Sequence, residues 1–96
     1  MNLNQLRFAQ AVADAGTFTA AARRCYVTQS TLSSGIAMLE KELGQRLFVR
    51  TTRSVALTSF GRCMLPVIGK LLEAEAELRR TAEGCIDPDI LSLIHI

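Results

Sequence analysis

Between residues 18 and 43, apolar positions recur at helical spacing in two runs. Phe18, Ala21, Ala22 and Cys25 make the first. Tyr26, Val27 and Thr28 break the pattern, and Leu32, Ile36, Leu39 and Leu43 then recur at intervals of four, three and four, one face of a 3.6-residue helix. Two helices, over 18–25 and 28–43, joined by so short a turn have the pattern of a helix-turn-helix. Thr17 and Thr28 stand where N-caps belong, and Gly44 stands where a helix stops. Upstream, Leu3, Leu6, Phe8, Ala9, Val12 and Ala13 give a broad apolar face. Asn2 and Gln5 have the spacing of a capping box, and Gly16 closes that helix.

Downstream the period changes. Residues 47–50 and 55–57 are short and β-prone, and residues 51–54 between them are polar, which predicts a hairpin. Two strands alone are not stable. Alternation therefore nominates Leu47, Val49, Val55 and Leu57 to pack on the helices. From Thr58 or Ser59 to Glu83 the pattern is helical again. Met64, Leu71 and Leu78 recur every seven residues, and Leu65, Ile68 and Leu72 form a neighbouring stripe. A helix of that length is about 37 Å long, more than so small a domain needs, and a heptad stripe predicts pairing with a second copy. Pro66 within it predicts a kink. The fold class is mainly α: a winged helix-turn-helix over 1–57, a linker and dimerisation helix over 58–84, and a tail over 85–96. The tail, apolar over 90–96, is read as leading to a further domain or as a non-native end.

Composition narrows the function. Of 96 residues 49% are apolar, enough for a core, and the net charge of +2 is a weak signal. Its distribution says more. Residues 1–60 carry seven Lys or Arg against three acids, and residues 61–96 carry four against six. The positive half holds the helix-turn-helix, as phosphate binding favours. Three cysteines with no CxxC spacing, no signal peptide and no apolar run of membrane-spanning length point to a reduced, cytoplasmic chain. Cys25 reads as a small buried hydrophobe. HExxH, a Gly-rich phosphate loop and paired Cys/His spacing are all missing, and the one histidine, His95, lies in the tail. The sequence therefore argues against an enzyme and predicts no cofactor or metal.

In a helix-turn-helix the first turns of the second helix meet base edges. Opposite Leu32, Ile36 and Leu39 stand Gln29, Ser30, Ser33 and Ser34. Gln29 has the chemistry for a bidentate pair with adenine, and the serines can donate to or accept from bases or phosphates. Arg50 and Arg53 of the hairpin are the wing candidates, with Arg53 at the tip. Arginine suits a narrow minor groove, although Arg50 could instead pair with Glu40 or Glu42. Thr17, Thr19 and Thr28 sit at helix N-termini, where capping and phosphate binding can coexist.

With these residues in place, the chain resembles the N-terminal part of the LysR-type transcriptional regulators. The resemblance rests on LNQLRF at 3–8, GTFTAAA at 16–22, VTQSTLS at 27–33, LEKELG at 39–44 and RLFVRT at 46–51. Leu57, Thr58, Gly61 and Pro66 follow in register. Within the family, residues 25–33 resemble the peroxide-sensing members. The sensing cysteines of that subgroup lie in the effector domain, so Cys25, Cys63 and Cys85 do not inherit their role. The resemblance implies a homodimer or a dimer of dimers docked through the long helix. It also implies double-stranded DNA with interrupted inverted repeats as partner, and a small-molecule inducer acting through an effector domain outside this chain. Three positions depart from the family pattern. Ser30 stands where proline is common, Ser34 where arginine is common, and Gly35 where a long residue such as glutamine is common. An arginine pairing with guanine is worth about 1–3 kcal/mol, and Gly35 costs about 1 kcal/mol of helix propensity. Those changes shift affinity toward the wing or alter specificity through a smoother helix face. The alternative function is a dimeric helical protein-interaction module that binds no DNA, since fold alone does not fix function.

Overall fold

The computed structural model describes residues 1–51 and 54–85. In order along the chain these form α1 (Leu3–Ala15), α2 (Phe18–Arg24), α3 (Gln29–Leu43), β1 (Phe48–Arg50), β2 (Val55–Leu57) and α4 (Ser59–Gly84). Thr52, Arg53 and residues 86–96 lie outside the described residues, and with them the expectations for the wing tip and the apolar tail.

Local chemistry fixes the helix ends. Asn2 and Gln5 form a full capping box: Asn2 Oδ1 accepts from Gln5 N at 2.9 Å, and Asn2 N donates to Gln5 Oε1 at 3.3 Å. The hydroxyls of Thr17, Thr28 and Thr58 each accept from the backbone N–H three residues on. Gly16 and Gly44 take left-handed φ of 79° and 89°, the conformation in which glycine ends a helix without strain.

The second helix ends one residue earlier than the pattern predicts, at Arg24, with Cys25 as its C-cap. The backbone there closes a Schellman motif. Tyr26 N donates to Arg23 O, Val27 N donates to Ala22 O, and Tyr26 holds φ at 58°. The reversal that makes the helix-turn-helix thus rests on a non-glycine residue in the left-handed region.

α1 packs against α2, α3 and α4, so it is the central element. Leu6, Ala9 and Val12 of α1 meet Ala21 and Ala22 of α2, Leu32, Ile36 and Leu39 of α3, and Leu65 and Ile68 of α4 in one core. β1 and β2 pair antiparallel with Phe48 opposite Leu57 and Arg50 opposite Val55. Val55 and Leu57 of β2 pack against the core as expected, and the expected inward face is corrected in β1 alone. Leu47 is buried but precedes the strand, Phe48 is the buried strand residue, and Val49 is exposed. Residues opposed across a ladder share a face, so Val49 and Ala56 point outward together.

The hairpin is held to the helices by backbone and by one carboxylate. Val55 N donates to Gly16 O at 3.0 Å, and Thr58 N donates to Leu47 O at 2.9 Å. Glu40, in the last turn of α3, accepts from both Leu47 N and Phe48 N. Gly61 completes the fit, because a Cβ there would lie 2.2 Å from Leu47 O.

α4 runs as one helix through Pro66. Its two apolar stripes differ in fate. Leu65 and Ile68 are buried in the protein's own core, which corrects their reading as pairing residues, and Met64 and Leu72 pack partly against the same core. Val67, Leu71 and Leu78 are exposed at 49%, 46% and 69%, and Ala74 between them is exposed too. Arg7 of α1 pairs with Glu75 at 3.3 Å, and Arg79 reinforces the same carboxylate from one turn on. No helix among the described residues is long and apolar enough to cross a membrane.

Candidate nucleic-acid interface

The outer face of α3 lies between two clefts. The first, about 240 Å³, is lined by Thr17, Phe18, Thr19, Gln29, Arg50, Thr51, Ser54 and Val55. It brings the start of α2, the start of α3 and the hairpin onto one surface. The second, about 490 Å³, runs between α1 and α3 and includes Asn2, Asn4, Phe8, Ser30, Ser34 and Gly35. The four α3 residues nominated from sequence therefore divide. Gln29 faces the wing-side cleft and Ser30 and Ser34 the α1-side cleft. Ser33, half-buried, is engaged by the wing.

Arg50 takes neither of the acidic partners open to it from sequence. Its Nη2 donates to Ser33 Oγ at 3.2 Å, and its guanidinium lies 4.1 Å from the Phe18 ring centroid. Phe18 in turn meets Phe48 edge-on, with centroids 6.3 Å apart. The arginine thereby bridges Phe18 of α2 and Ser33 of α3 and remains exposed. Glu40 is committed to the β1 backbone and lies 4.0 Å from Arg46, and Glu42 pairs with the N-terminal amine at 2.6 Å.

The three threonines also separate by role. Thr17 and Thr28 are caps. Thr19 is inside α2, and its hydroxyl donates to Gln29 Oε1 at 3.1 Å. Thr51 and Ser54 close the hairpin turn through Thr51 N to Ser54 O at 2.8 Å and Ser54 N to Thr51 Oγ1 at 3.0 Å. Asn4, beside Ser30 and Ser34 and bonded to Arg7, is a polar neighbour that sequence reasoning missed, because its position in the first turn of α1 reads only as solvated helix.

Gly35 turns toward α1, not toward the open face. A Cβ there would come within 2.7 Å of the Phe8 ring, so this departure from the family pattern is a packing adjustment and not a smoothing of the outer surface. Cys25 is half-buried, and burial pushes its thiol above the usual range, as suits a structural cysteine; Cys63 and Cys85 are exposed. Among the described residues no group of His, Cys, Asp and Glu could hold a metal ion.

A helix-turn-helix braced by a two-stranded hairpin, with an arginine of that hairpin laid beside the outward helix, defines a winged helix-turn-helix domain. The chain belongs to the lysR family of bacterial regulatory helix-turn-helix proteins, whose model matches residues 3–62. It is 53% identical over 78 residues to a putative transcriptional regulator of Pseudomonas aeruginosa, covering 80% of this chain and 26% of that protein. It spans less than a third of the length of the first curated relatives it matches. Among solved structures it is similar to the CbnR_DBD-DNA complex, with a TM-score of 0.82, 32% identity and coverage of 88% of this chain and 97% of that one. It is also similar to a full-length OxyR variant from Pseudomonas aeruginosa, with a TM-score of 0.85, 37% identity and coverage of 91% and 30%.

Proposed function

We infer that this chain is the DNA-binding part of a cytoplasmic transcription regulator. It docks α3 in the major groove of double-stranded DNA and sets its wing, residues 47–57, on the adjacent minor groove or backbone. Gln29 is the base reader on the wing side of α3, and Ser30, Ser33 and Ser34 contribute from the rest of its outer surface. Arg50 and Arg53 serve the wing, Thr17 and Thr28 flank the phosphates, and Thr19 stands beside Gln29 at the start of α2. Residues 58–84 join two copies, so that the pair, or a dimer of such dimers, meets an interrupted inverted repeat. A small-molecule inducer acts through a domain outside this chain.

One observation carries the reading: Gln29 and Arg50 stand on one exposed cleft, the first at the start of the outward helix and the second on the wing. The DNA complex among the chain's structural neighbours supports it.

The test is fluorescence anisotropy with duplex DNA across a salt series, beside random competitor. A steep fall of affinity with salt, together with preference for an inverted repeat, is expected. Arg53→Ala should reduce the salt slope by about one per engaged subunit. Absence of binding at low salt, even for a chain held dimeric by a fused pairing segment, would favour the protein-interaction module.

A further inference from the structure

Thr19 and Gln29 are ten residues apart and meet across the turn of the helix-turn-helix. Thr19 is the second residue of α2, and Gln29 is the first of α3. The Thr19 hydroxyl donates to Gln29 Oε1 at 3.1 Å, and both side chains line the wing-side cleft. The backbone at this point is already held by the Thr28 cap, whose Oγ1 accepts from Thr31 N at 3.1 Å. The Thr28 cap thus holds the start of α3, and the exposed hydrogen bond from Thr19 engages the Gln29 carboxamide.

We propose that Thr19 is a positioning residue that sets which end of the Gln29 carboxamide faces the major groove. The inference rests on the assignment of Gln29 as a base reader. A carboxamide has an acceptor end and a donor end. A hydroxyl can meet either end; in the arrangement observed Thr19 donates to Oε1 and leaves the Nε2 hydrogens for the base. Guanine O6 and N7, adenine N7 and thymine O4 accept such a donor; the major-groove edge of cytosine presents only an amino donor and opposes it. The arrangement therefore selects an acceptor-bearing base and rejects cytosine where Gln29 reaches the groove. It also qualifies the adenine pairing expected from sequence. That pairing asks Oε1 to accept a second hydrogen bond beside the one from Thr19, using its remaining lone pair. Without the hydroxyl, the terminal amide torsion is broad and both ends can face the base.

Selection of binding sites from a randomised duplex library by the wild-type chain, Thr19→Val and Thr19→Ser tests this. Thr19→Val keeps the shape and loses the donor. It is expected to lower discrimination against cytosine at one position by roughly three- to tenfold, the worth of one hydrogen bond. Non-specific affinity and salt slope should stay unchanged, and Thr19→Ser should restore the preference. In the DNA-free chain, the Gln29 side-chain amide resonances should shift in Thr19→Val and stay near wild type in Thr19→Ser. Thermal melts establish that both variants fold. Equal loss on every sequence with a reduced salt slope would make Thr19 a phosphate contact and overturn the proposal, as would unchanged base preference in Thr19→Val. A wild-type chain that selects no sequence overturns the base-reading assignment together with this inference. That failure is visible in the wild type alone, whereas failure of the positioning role shows only between variants.

Discussion

Gly61 shows how far a single hydrogen atom can decide the seating of an element. Thr58 N and Thr58 Oγ1 hold the start of α4 to Leu47 O and Arg46 O, and the third residue of the helix then passes over the same strip of backbone. A methyl group at 61 meets the Leu47 carbonyl and cannot be relieved by turning a side chain. Gly61→Ala should therefore destabilise the fold by about 1–3 kcal/mol despite its gain in helix propensity, measured by urea denaturation. At this scale the sequence was legible where a signal is local. Asn2, Thr17, Thr28 and Thr58 each bond three residues ahead, so residue type and spacing suffice to place them. Arg50, Gly35 and Thr19 were not legible in this way. Their partners, Ser33, Phe8 and Gln29, lie on other elements, and only packing brings them together.

The elements differ in how well their phase can be read. Fifteen residues of α3 carry enough repeats to fix its inward face, and Leu32, Ile36 and Leu39 are buried as the spacing requires. Three-residue strands hold too few repeats: Val55 and Leu57 of β2 face the core as the alternation requires, but one buried residue ahead of the ladder, Leu47, inverts the phase of β1. In α4 two apolar stripes lie side by side, and periodicity cannot say which one meets the core. Between elements, two carboxylates act as clasps. Glu40→Ala should loosen the hairpin from α3 and cost about 1.5–3 kcal/mol, because it strips a charged acceptor from two backbone donors; Glu40→Gln should cost less. Hydrogen exchange at the Leu47 and Phe48 amides would report it. Glu75 joins α1 to α4, and the hydrogen bond from Arg79, aided by Arg7, holds its carboxyl below the usual glutamate range. A lowered folded pKa stabilises above the unfolded value, near 4.3. That contribution is lost as pH falls through the folded value. Melting temperature should thus fall less steeply below about pH 4.3 in Glu75→Gln than in the wild-type chain.

Across the whole molecule, the long axis is 61 Å against 26 and 20 Å, an elongation due to α4. Its exposed face, Val67, Leu71, Ala74 and Leu78, has the four-three-four spacing of a pairing seam. Leu71→Glu changes a residue outside the core, so the monomer fold should survive while self-association falls. Sedimentation at several concentrations would show it, and an undiminished dimer would remove this face from the pairing surface. The length of this helix was plain from the sequence. Periodicity alone does not single out Val67 and Ala74, because Leu65 and Ile68 look equally suited until their burial is known.

The clasping of α4 to α1 bears on spacing. Leu65, Ile68 and the Arg7–Glu75 pair seat the helix against the domain that carries α3. In a pair joined along α4, such a helix works as a ruler. Sliding the seam by one helical turn would move the two outward helices about 5.4 Å relative to each other, or roughly one and a half base pairs of duplex. The gap between half-sites would then be encoded by residues that never approach the nucleic acid, and a change of seam register would retune the site with every base contact intact.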